Sequence, residues 1–539
     1  MKKHSALENL KRIVSLALCA PLLLGALSGC AKRRNEEPVP TALPTASPAA
    51  TEEPSEGGAL RLPMPVNAPC EDPLEVNTEE MLSLFSLVYE SLIKVNGSGE
   101  LEPCLARSWT NEGNGVWLLH LREGVRWHDG SGQFLAHDVV NTYRALEAME
   151  DSYYKPCLEH ILGMEMTDLH TVRVRFDVPG VIALYSLTFP IKKAAPLIGT
   201  GCYKLEFMDD DTVTLRVNED WWDRRPYIER IIFEERDNAA TALASFEAGQ
   251  FNLVPTDALT AGRYFESGVS NVFDVMTQSM ETLLFNYSNP VLNDPRIRLA
   301  IAHGINRSKL ITNVYSNRAR AADVPIPPDS WLSDSRASVL NYDPETSKAL
   351  IEEAGFTVMS KEGLLYSKTG QNLYVRLLTS ATTENTVRSE AAAMIASQLS
   401  ELGFLVDVIT KTHTLGDPES EFVTALRSGE WDIALVGFNL SLSNELTSYV
   451  SSGGANNFGG FSDEELALRA YGMCEAENEE SLREAAYELS TYFVETVPFV
   501  TLYFRLNSLI VSADIVGPER AREPYIFFNI KDWYVKKDG

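Results

Sequence analysis

Side chains that could do chemistry are thinly spread along this chain. His128 precedes Asp129, and such a pair could serve as a base with an orienting carboxylate or as two metal ligands. The chain contains no GxxxxGK[ST] phosphate loop, no HExxH zinc helix and no GxSxG nucleophile turn. The other histidines are scattered, among them His120, His137, His303 and His413. These observations predict that the protein is not an enzyme, and they indicate neither a resident metal ion nor a cofactor.

The cysteines show no spacing typical of a metal site or a redox motif. Cys19 and Cys30 lie near the start of the chain, and Cys70, Cys104, Cys157, Cys202 and Cys474 follow. Because five is an odd number, at least one of these later thiols is unpaired in a monomer. We expect buried free thiols; one disulfide is the alternative in an oxidising compartment, and the sequence does not choose its pair.

The apolar patterns that must position any site alternate between strand and helix. Alternating or continuous apolar runs predict strands over 116–121, 171–177, 212–218, 251–254, 282–287, 404–409 and 431–438. Helical spacing predicts helices over 136–149, 239–248 and 389–402. Asp294 and Asp343 each precede a proline, which predicts two further helices capped by these aspartates. The pattern indicates an α/β body with an early β-rich insertion.

The start of the chain is typical of a secretion signal. A basic head that contains Lys2, Lys3, Lys11 and Arg12 precedes an apolar run of roughly 15 residues that ends at Leu27. Ser28, Gly29 and Cys30 follow, a pattern that resembles a bacterial lipoprotein signal in which Cys30 is lipidated and becomes the new N-terminus. An ordinary cleaved signal and an uncleaved anchor are the alternatives. We expect a protein on the outer face of the bacterial cytoplasmic membrane.

Composition limits the remaining choices. Residues 31–58 are rich in Pro, Thr, Ala, Ser and Glu, which predicts an extended, disordered tether. The 539-residue chain is too long for one hydrophobic core, so we expect two or three lobes. No later apolar stretch is long enough to cross a membrane. A formal net charge of −28 argues against nucleic-acid binding.

Short blocks along the chain carry a family resemblance. They are 101–109 (LEPCLARSW), 121–130 (LREGVRWHDG), 136–140 (AHDVV), 198–203 (IGTGCY), 218–227 (NEDWWDRRPY), 228–254, 293–298 (NDPRIR) through 307, 341–356, 429–438 and 497–500 (VPFV). In this order they resemble the peptide/nickel family (family 5) of extracytoplasmic solute-binding proteins, the oligopeptide and dipeptide receptors of ABC importers. The resemblance extends from about residue 58 to the C-terminus, and it makes His128–Asp129 a turn after a strand.

The resemblance implies a type II periplasmic-binding-protein-like fold, an α/β clamp of two lobes with a hinge and an additional β-rich domain. The implied domains are a lipoprotein signal peptide (1–29), a disordered tether (30–57), lobe I (58–91, 197–285 and 497–539), the extra domain (92–196) and lobe II (286–496). Chain crossings near 285 and 497 would form the hinge about which the lobes close on a ligand.

The resemblance also implies a ligand buried between the lobes, with a peptide held as an additional strand. The candidate ligand-binding residues lie on segments expected to face the cleft: Asn77, Thr78, Phe285, Asn286, Tyr287, Trp331, Phe438, Asn439, Ser441, Asn444, Glu445 and Tyr449. Packing or turn formation is the alternative role for each of them.

One departure from the family pattern concerns the ligand's amino terminus. Peptide-binding members often carry an aspartate a few residues after the strand at 431–438, where it neutralises the ligand's ammonium group. The matching position here is Ser441. A buried ammonium without a counter-ion is costly, so either Glu445 substitutes, or the ligand lacks a free amine, or the amine is bound elsewhere.

The resemblance implies partners as well as a ligand. The expected ligand is an oligopeptide or another small solute, and the permease and ATPase subunits of the importer would be separate chains. We expect a monomer that contacts the membrane only through its lipid anchor. The alternatives are the same fold with a metal chelate, an oligosaccharide or another non-peptide solute, and a peptide sensor that does not transport.

Overall fold

The structure is a computed structural model that describes residues 53–66, 70–76, 78–194, 196–264, 270–337, 340–382, 386–414 and 416–536. The predicted signal peptide, the lipidation site Cys30 and the candidate residue Asn77 lie outside the described residues. Residues Pro54–Gly539 form one compact unit. Within the described ranges, no helix combines the length and the apolar character that a membrane crossing requires.

The described strands are short except for two. They are β1 (Ala59–Pro65), β2 (Ile93–Val95), β3 (Leu101–Pro103), β4 (Ala106–Gly113), β5 (Val116–Leu121), β6 (Ile161–Asp168), β7 (Thr171–Phe176), β8 (Tyr203–Met208), β9 (Thr212–Val217), β10 (Arg230–Arg236), β11 (Leu253–Thr256), β12 (Ser270–Phe285), β13 (Ala319–Ala321), β14 (Phe356–Met359), β15 (Leu365–Ser367), β16 (Tyr374–Ala381), β17 (Leu405–Thr412), β18 (Ile433–Asn439), β19 (Phe499–Ser512), β20 (Ile515–Val516) and β21 (Tyr534–Val535).

The helices lie mostly in the second half of the chain. They are α1 (Glu79–Val88), α2 (Ala136–Ala148), α3 (Ala239–Glu247), α4 (Pro295–Gly304), α5 (Arg307–Asn313), α6 (Pro344–Glu353), α7 (Val387–Ser400), α8 (Glu421–Ser428), α9 (Thr447–Val450), α10 (Glu464–Glu475) and α11 (Glu479–Thr496). Short 3₁₀ turns occur at Pro73–Glu75, Lys155–Leu158, Val181–Leu187, Leu259–Tyr264, Pro518–Arg520 and Ile530–Asp532.

Two long strands join the two halves of the central sheet. The order of this seven-stranded sheet is β11-β19-β12-β18-β16-β17, with β13 paired to β19. β12 and β19 run antiparallel from the pair Ser270–Ser512 to the pair Leu284–Phe499. Their register shifts between Met276 and Met280, which marks a β-bulge in the middle of the pair. A bulge of this kind bends the strand that carries it.

Smaller sheets flank this framework. One four-stranded sheet has the order β1-β10-β9-β8, and a second has the order β4-β5-β7-β6. The second confirms the predicted early β-rich insertion. Along β9, the alternate residues Val213, Leu215 and Val217 are buried because one face of the sheet packs on the core.

Local sequence signals account for most of the predicted elements. The carboxylates of Asp294 and Asp343 accept hydrogen bonds from backbone N–H groups in the first turns of α4 and α6 and cap these helices as predicted. The strand predicted at 282–287 is wrong in extent, because β12 begins at Ser270 and ends at Phe285. The five later cysteines are free thiols, three of them buried, so the free-thiol prediction holds and the disulfide alternative does not.

Candidate ligand-binding cleft

A cavity of about 650 Å³ lies where the long strands change direction. Its second wall consists of Arg388, His413, Gly437, Phe438 and Asn439. Its first wall is formed by the following residues: Leu62, Pro63, Met64, Pro65, Glu79, Glu80, Ser83, Phe233, Arg236, Asp237, Asn238, Ala239, Ala242, Pro255, Thr256, Asp257, Glu523, Pro524 and Ile526. Its floor is formed by Thr277, Ser279 and Glu281 on β12 and by Arg505 and Asn507 on β19. The volume is within the range of about 300–1,000 Å³ that is common for small-molecule sites.

The β-bulge turns the floor residues toward the cavity. The Thr277 hydroxyl donates to the Arg505 carbonyl at 2.9 Å and accepts from the Ser279 backbone N–H at 3.0 Å. These bonds replace the ladder pairing that the register shift removes. Because a bulge re-aims neighbouring side chains, polar groups of both strands face the cavity at this point.

A buried ion pair links the floor to the second wall. Glu281 is 3% exposed, and Arg388 donates to it twice, at 2.7 Å from Nη2 and 3.0 Å from Nε. The third donor of Arg388, Nη1, reaches the Ser380 hydroxyl at 2.9 Å. The Glu281 carboxylate raises the pKa of Arg388, so the guanidinium stays charged at any physiological pH.

A side chain at position 437 would require this ion pair to shift. Gly437 on β18 lies directly opposite Glu281 on β12. A Cβ at Gly437 would meet Arg388 Nη2 and would lie 3.0 Å from Glu281 Oε1. The strand therefore approaches the ion pair more closely than any other residue type would allow.

Four carboxylates of the first wall have no ion-pair partner among the described residues. Glu79 and Glu80 lie in the first turn of α1, Asp257 follows β11, and Glu523 lies near the C-terminus. Burial raises the pKa of Glu79, with Glu80 and Asp257 adding to the effect. Burial and then Glu79 raise the pKa of Glu523 to about 8, against a hydrogen bond from Asn507 that lowers it.

The second wall combines one aromatic ring with polar side chains. Phe438 packs edge-on against Tyr449, with ring centroids 5.1 Å apart, and the Asn439 side chain accepts a hydrogen bond from the Ser279 hydroxyl at 2.5 Å. His413 lies 3.2 Å from the Ser420 hydroxyl. Burial and then the charge of Arg388 lower the pKa of His413, so its imidazole is neutral at pH 7.

One edge of β18 is open beside this wall. On the side of β16, the only paired residues of β18 in the described structure are Ile433 and Ala434. On the side of β12, pairing continues to Asn439. Among the described residues, the backbone from Leu435 to Asn439 has no paired strand on this side. Leu435 and Val436 are buried, whereas Gly437, Phe438 and Asn439 line the cavity.

The structure places Phe285 at the end of β12 and Asn286 and Tyr287 directly after it, outside the cavity lining. Phe285 is 1% exposed within a hydrophobic core, and Asn286 donates to the carbonyls of Gly429 and Trp431. The Tyr287 hydroxyl donates to the Pro498 carbonyl at 2.9 Å. Asn286 and Tyr287 therefore tie the segment after β12 to the segments before β18 and before β19.

Five other candidate residues have structural contacts and do not line the cavity. Thr78 caps α1 through a hydrogen bond from the Met81 N–H, and Trp331 donates to the Gly99 carbonyl at 3.0 Å. The Ser441 hydroxyl bonds that of Ser443, Asn444 is 2% exposed, and the Glu445 carboxylate accepts from the Thr447 N–H. Of the predicted residues that are described, Phe438 and Asn439 line the cavity, with Tyr449 behind Phe438.

The charged residues that line the cavity were not predicted from the sequence. Glu79, Asp257, Glu281, Arg388, Arg505 and Glu523 belong to separate segments, and no short motif joins them. The pair Glu79–Glu80 could have been noticed, but two acids in a first helical turn are also the usual preference at a helix N-terminus.

His128 and Asp129 do not act together. The His128 ring lies 2.9 Å from the Gly201 carbonyl, and burial lowers its pKa to about 4. Asp129 faces the other way and accepts from the Ser131 backbone N–H at 3.0 Å. The pair forms a turn after β5, as expected from the resemblance.

Comparison with known proteins identifies relatives of this chain. Residues 100–460 match the family model described as "Bacterial extracellular solute-binding proteins, family 5 Middle". A dipeptide-binding protein of Escherichia coli (strain K12) is 24% identical over 308 residues, which cover 50% of this chain and 58% of that protein. The oligopeptide-binding protein AppA of Bacillus subtilis (strain 168) is 22% identical over 493 residues, which cover 84% of this chain and 87% of AppA.

A solved structure agrees in fold. The crystal structure of NikZ from Campylobacter jejuni in complex with Ni(L-His) has a TM-score of 0.64 and 20% sequence identity, and the match covers 88% of this chain and 99% of NikZ. At this identity the similarity establishes the fold alone.

Proposed function

The chain belongs to the bacterial extracellular solute-binding proteins of family 5, and on this premise we propose that it is a receptor that binds oligopeptides in the cleft and delivers them to an ATP-driven ABC importer. Its relatives bind solutes and are not enzymes, as predicted from the missing catalytic motifs. The permease and ATPase subunits would be separate chains.

The observation that carries the proposal is the cavity beside an open strand edge. An extended peptide could pair with the edge of β18 at residues 437–439, which line the cavity, so that backbone hydrogen bonds supply affinity whatever the side chains are. The cavity of about 650 Å³ would hold the peptide backbone and its side chains together with water. Two relatives that bind peptides, by their names, support the same assignment.

The domain boundaries form part of the proposal. We assign lobe I to 58–91, 197–285 and 497–539, the extra domain to 92–196 and lobe II to 286–496. The first wall then belongs to lobe I and the second wall to lobe II. The crossings at 285–287 and 496–498 are linked by the Tyr287–Pro498 hydrogen bond, which suits a hinge.

Anchoring is likewise proposed from the sequence. A lipid on Cys30 and a tether over 30–57 would hold the receptor at the outer face of the cytoplasmic membrane as a monomer. This arrangement would raise the local concentration of receptor near its permease without a second contact between receptor and membrane.

A blocking substitution tests the proposed function. Ser279 lies on the cavity floor, so Ser279→Trp would fill the space that a peptide needs. We expect alanine peptides of two to six residues to bind the native protein at one site by calorimetry, and Ser279→Trp to lose at least tenfold in affinity. Ser400→Trp, the same change on exposed α7, should bind like the native protein. The proposal fails if no peptide in the series binds.

A second candidate function keeps the cleft but changes the solute. Ser441 cannot neutralise an amine, and NikZ is described in complex with a nickel–histidine chelate, so a metal chelate, an oligosaccharide or another solute without a free amine is the alternative. Equal affinity for a peptide and its N-acetylated form would favour it. A sensor that does not transport is distinguished by unchanged peptide uptake after the gene is deleted.

A further inference from the structure

The cavity has an excess of negative charge. Six carboxylates and three guanidinium groups line it: Glu79, Glu80, Asp237, Asp257, Glu281 and Glu523 against Arg236, Arg388 and Arg505. Arg388 is neutralised by Glu281, and Arg236 pairs with Glu234 at 3.3 Å. His413 is neutral at pH 7 because burial lowers its pKa. The charge that remains is negative, and it is concentrated on the first wall.

Four of the carboxylates act on one another. Glu79, Glu80, Asp257 and Glu523 lie close enough for each of the other three to raise the pKa of Glu523. In the described structure, none of the four has an ion-pair partner, and the Glu523 side chain accepts a hydrogen bond only from the neutral Asn507 amide. We call these four residues the acidic wall. No group of three or more possible ligands among the described residues is arranged to hold a metal ion.

Among the described residues, the opposite wall offers no anion for an amine. Ser441 is uncharged and hydrogen bonds Ser443, and the Glu445 carboxylate caps α9 through the Thr447 N–H. Neither Ser441 nor Glu445 lines the cavity. Glu445 therefore does not replace the aspartate that the family resemblance implies near position 441.

We infer that the cleft takes solutes with a cationic group, the amino terminus or a Lys or Arg side chain of a peptide, and holds this group against the acidic wall of lobe I. The inference rests on the proposed function and adds the charge of the ligand and its orientation. It reverses the orientation implied by the resemblance, which placed the ammonium at lobe II. The cavity and the open edge of β18 mark the ligand site independently of the charges.

The floor is consistent with this orientation. Arg505 lies two residues from Asn507 on β19 and has no ion-pair partner among the described residues. Residues two apart on a strand face the same side, so a guanidinium and the hydrogen-bond partner of Glu523 point into one cavity. A ligand with its cation at the acidic wall can direct a carboxylate toward Arg505.

Cation binding is coupled to proton release. Glu523, whose pKa is about 8 in the empty cleft, is mostly protonated at pH 7. The groups that act on it are Glu79 and Glu80 on α1, Asp257 after β11 and Asn507 on β19. Tyr153, whose own pKa is raised in part by Glu523, also lies near it, and Arg505 lines the same cavity. A cation on the acidic wall favours the ionised carboxylate, so binding at pH 7 should release about one proton per ligand, falling to zero above pH 9.

The test uses peptides that differ only in charge. They are tri-alanine, N-acetyl-tri-alanine, N-acetyl-Ala-Lys-Ala and N-acetyl-Ala-Glu-Ala, titrated into the native protein and into the double variant Glu79→Gln/Glu523→Gln. The first and third peptides separate the amino terminus from a side chain as the source of the cation. Glu352→Gln, on the exposed face of α6, is the matched control.

We expect at least one of the two cationic peptides to bind at least tenfold more tightly than the Glu peptide. The double variant should reduce this preference at least fivefold, and Glu352→Gln should not change it. Proton release with the Lys peptide, read from calorimetry in two buffers of different ionisation enthalpy, should disappear in Glu523→Gln. If no peptide binds, the proposed function fails and the inference with it. If peptides bind with a charge preference that the double variant leaves unchanged, the inference alone is overturned.

Discussion

At the residue scale, the shape of the cleft beside the Glu281–Arg388 ion pair depends on Gly437. The Glu281–Arg388 ion pair occupies the space that a side chain at 437 would need, and it ties the floor to the second wall. A buried pair of this kind is costly to break, because each charge would be left without its partner away from water. The shape of the second wall therefore depends on the absence of one methyl group.

Gly437→Ala should lower both stability and affinity. We expect a loss of about 1–3 kcal/mol in the free energy of unfolding, because the new Cβ displaces Arg388 in a packed environment. Gly472→Ala is the control: no atom lies within 4 Å of the added Cβ, and the site is inside α10, where alanine is favoured by about 1 kcal/mol. Urea unfolding of both variants measures the difference, and equal stability of the two would contradict this view of the ion pair.

Some residues of the cavity could be predicted from the sequence, and others could not. Phe438 and Asn439 were predicted because they follow a recognisable buried strand, and both line the cavity. Glu523 was not predicted, because its role depends on Glu79 and Asp257, hundreds of residues away in sequence. Contacts between distant segments leave no local pattern.

At the scale of elements, one buried arginine joins the segment before α4 to the end of α11. Arg298 of α4 is 6% exposed and donates to the carbonyls of Leu292, Asn293, Thr496 and Val497. Its guanidinium lies 5.2 Å from the ring centroid of Tyr287. Val497 has a positive φ of 43°, a conformation that is unusual for a β-branched residue, at the end of α11. Arg298 thus satisfies backbone carbonyls where the chain turns sharply into β19.

Arg298→Met should be strongly destabilising. The change keeps the bulk of the side chain but leaves four carbonyls without their donor, and we expect a loss of about 3 kcal/mol or more. Arg296→Met on the same helix removes an exposed ion pair with Asp294 and one hydrogen bond to the exposed Glu353 carbonyl, and it should cost only about 1 kcal/mol. Thermal unfolding of the two variants gives the comparison, and a similar fall in melting temperature would count against a hinge role for Arg298.

Helices and strands were predicted best where neighbouring residues in the sequence are enough to determine them. The aspartate–proline starts of α4 and α6 and the alternation in β9 need no information from elsewhere in the chain. The first half of β12 was missed because the bulge and polar residues such as Thr277 and Ser279 interrupt the alternation. Pairing with β19, not the sequence of β12, makes that segment a strand.

At the scale of the whole molecule, the ordered sequence blocks predicted the family and the fold, and both are confirmed. The amino-acid composition did not predict where in the fold the negative charges would be concentrated. The formal net charge of −28 is a property of the whole chain, whereas the acidic wall is a local concentration that only the folded arrangement creates. The wall lies on the side that we assign to lobe I.

The most direct test of the central claim is native mass spectrometry of the protein purified without denaturation. The proposed function predicts a ladder of bound masses that fragment as peptides and that fall away in Ser279→Trp but persist in Ser400→Trp. Orientation by the acidic wall further predicts that the bound peptides carry a free amino terminus or a basic residue. A single non-peptide adduct, or an empty protein that ignores added peptides, would contradict the assignment of this cleft to peptides.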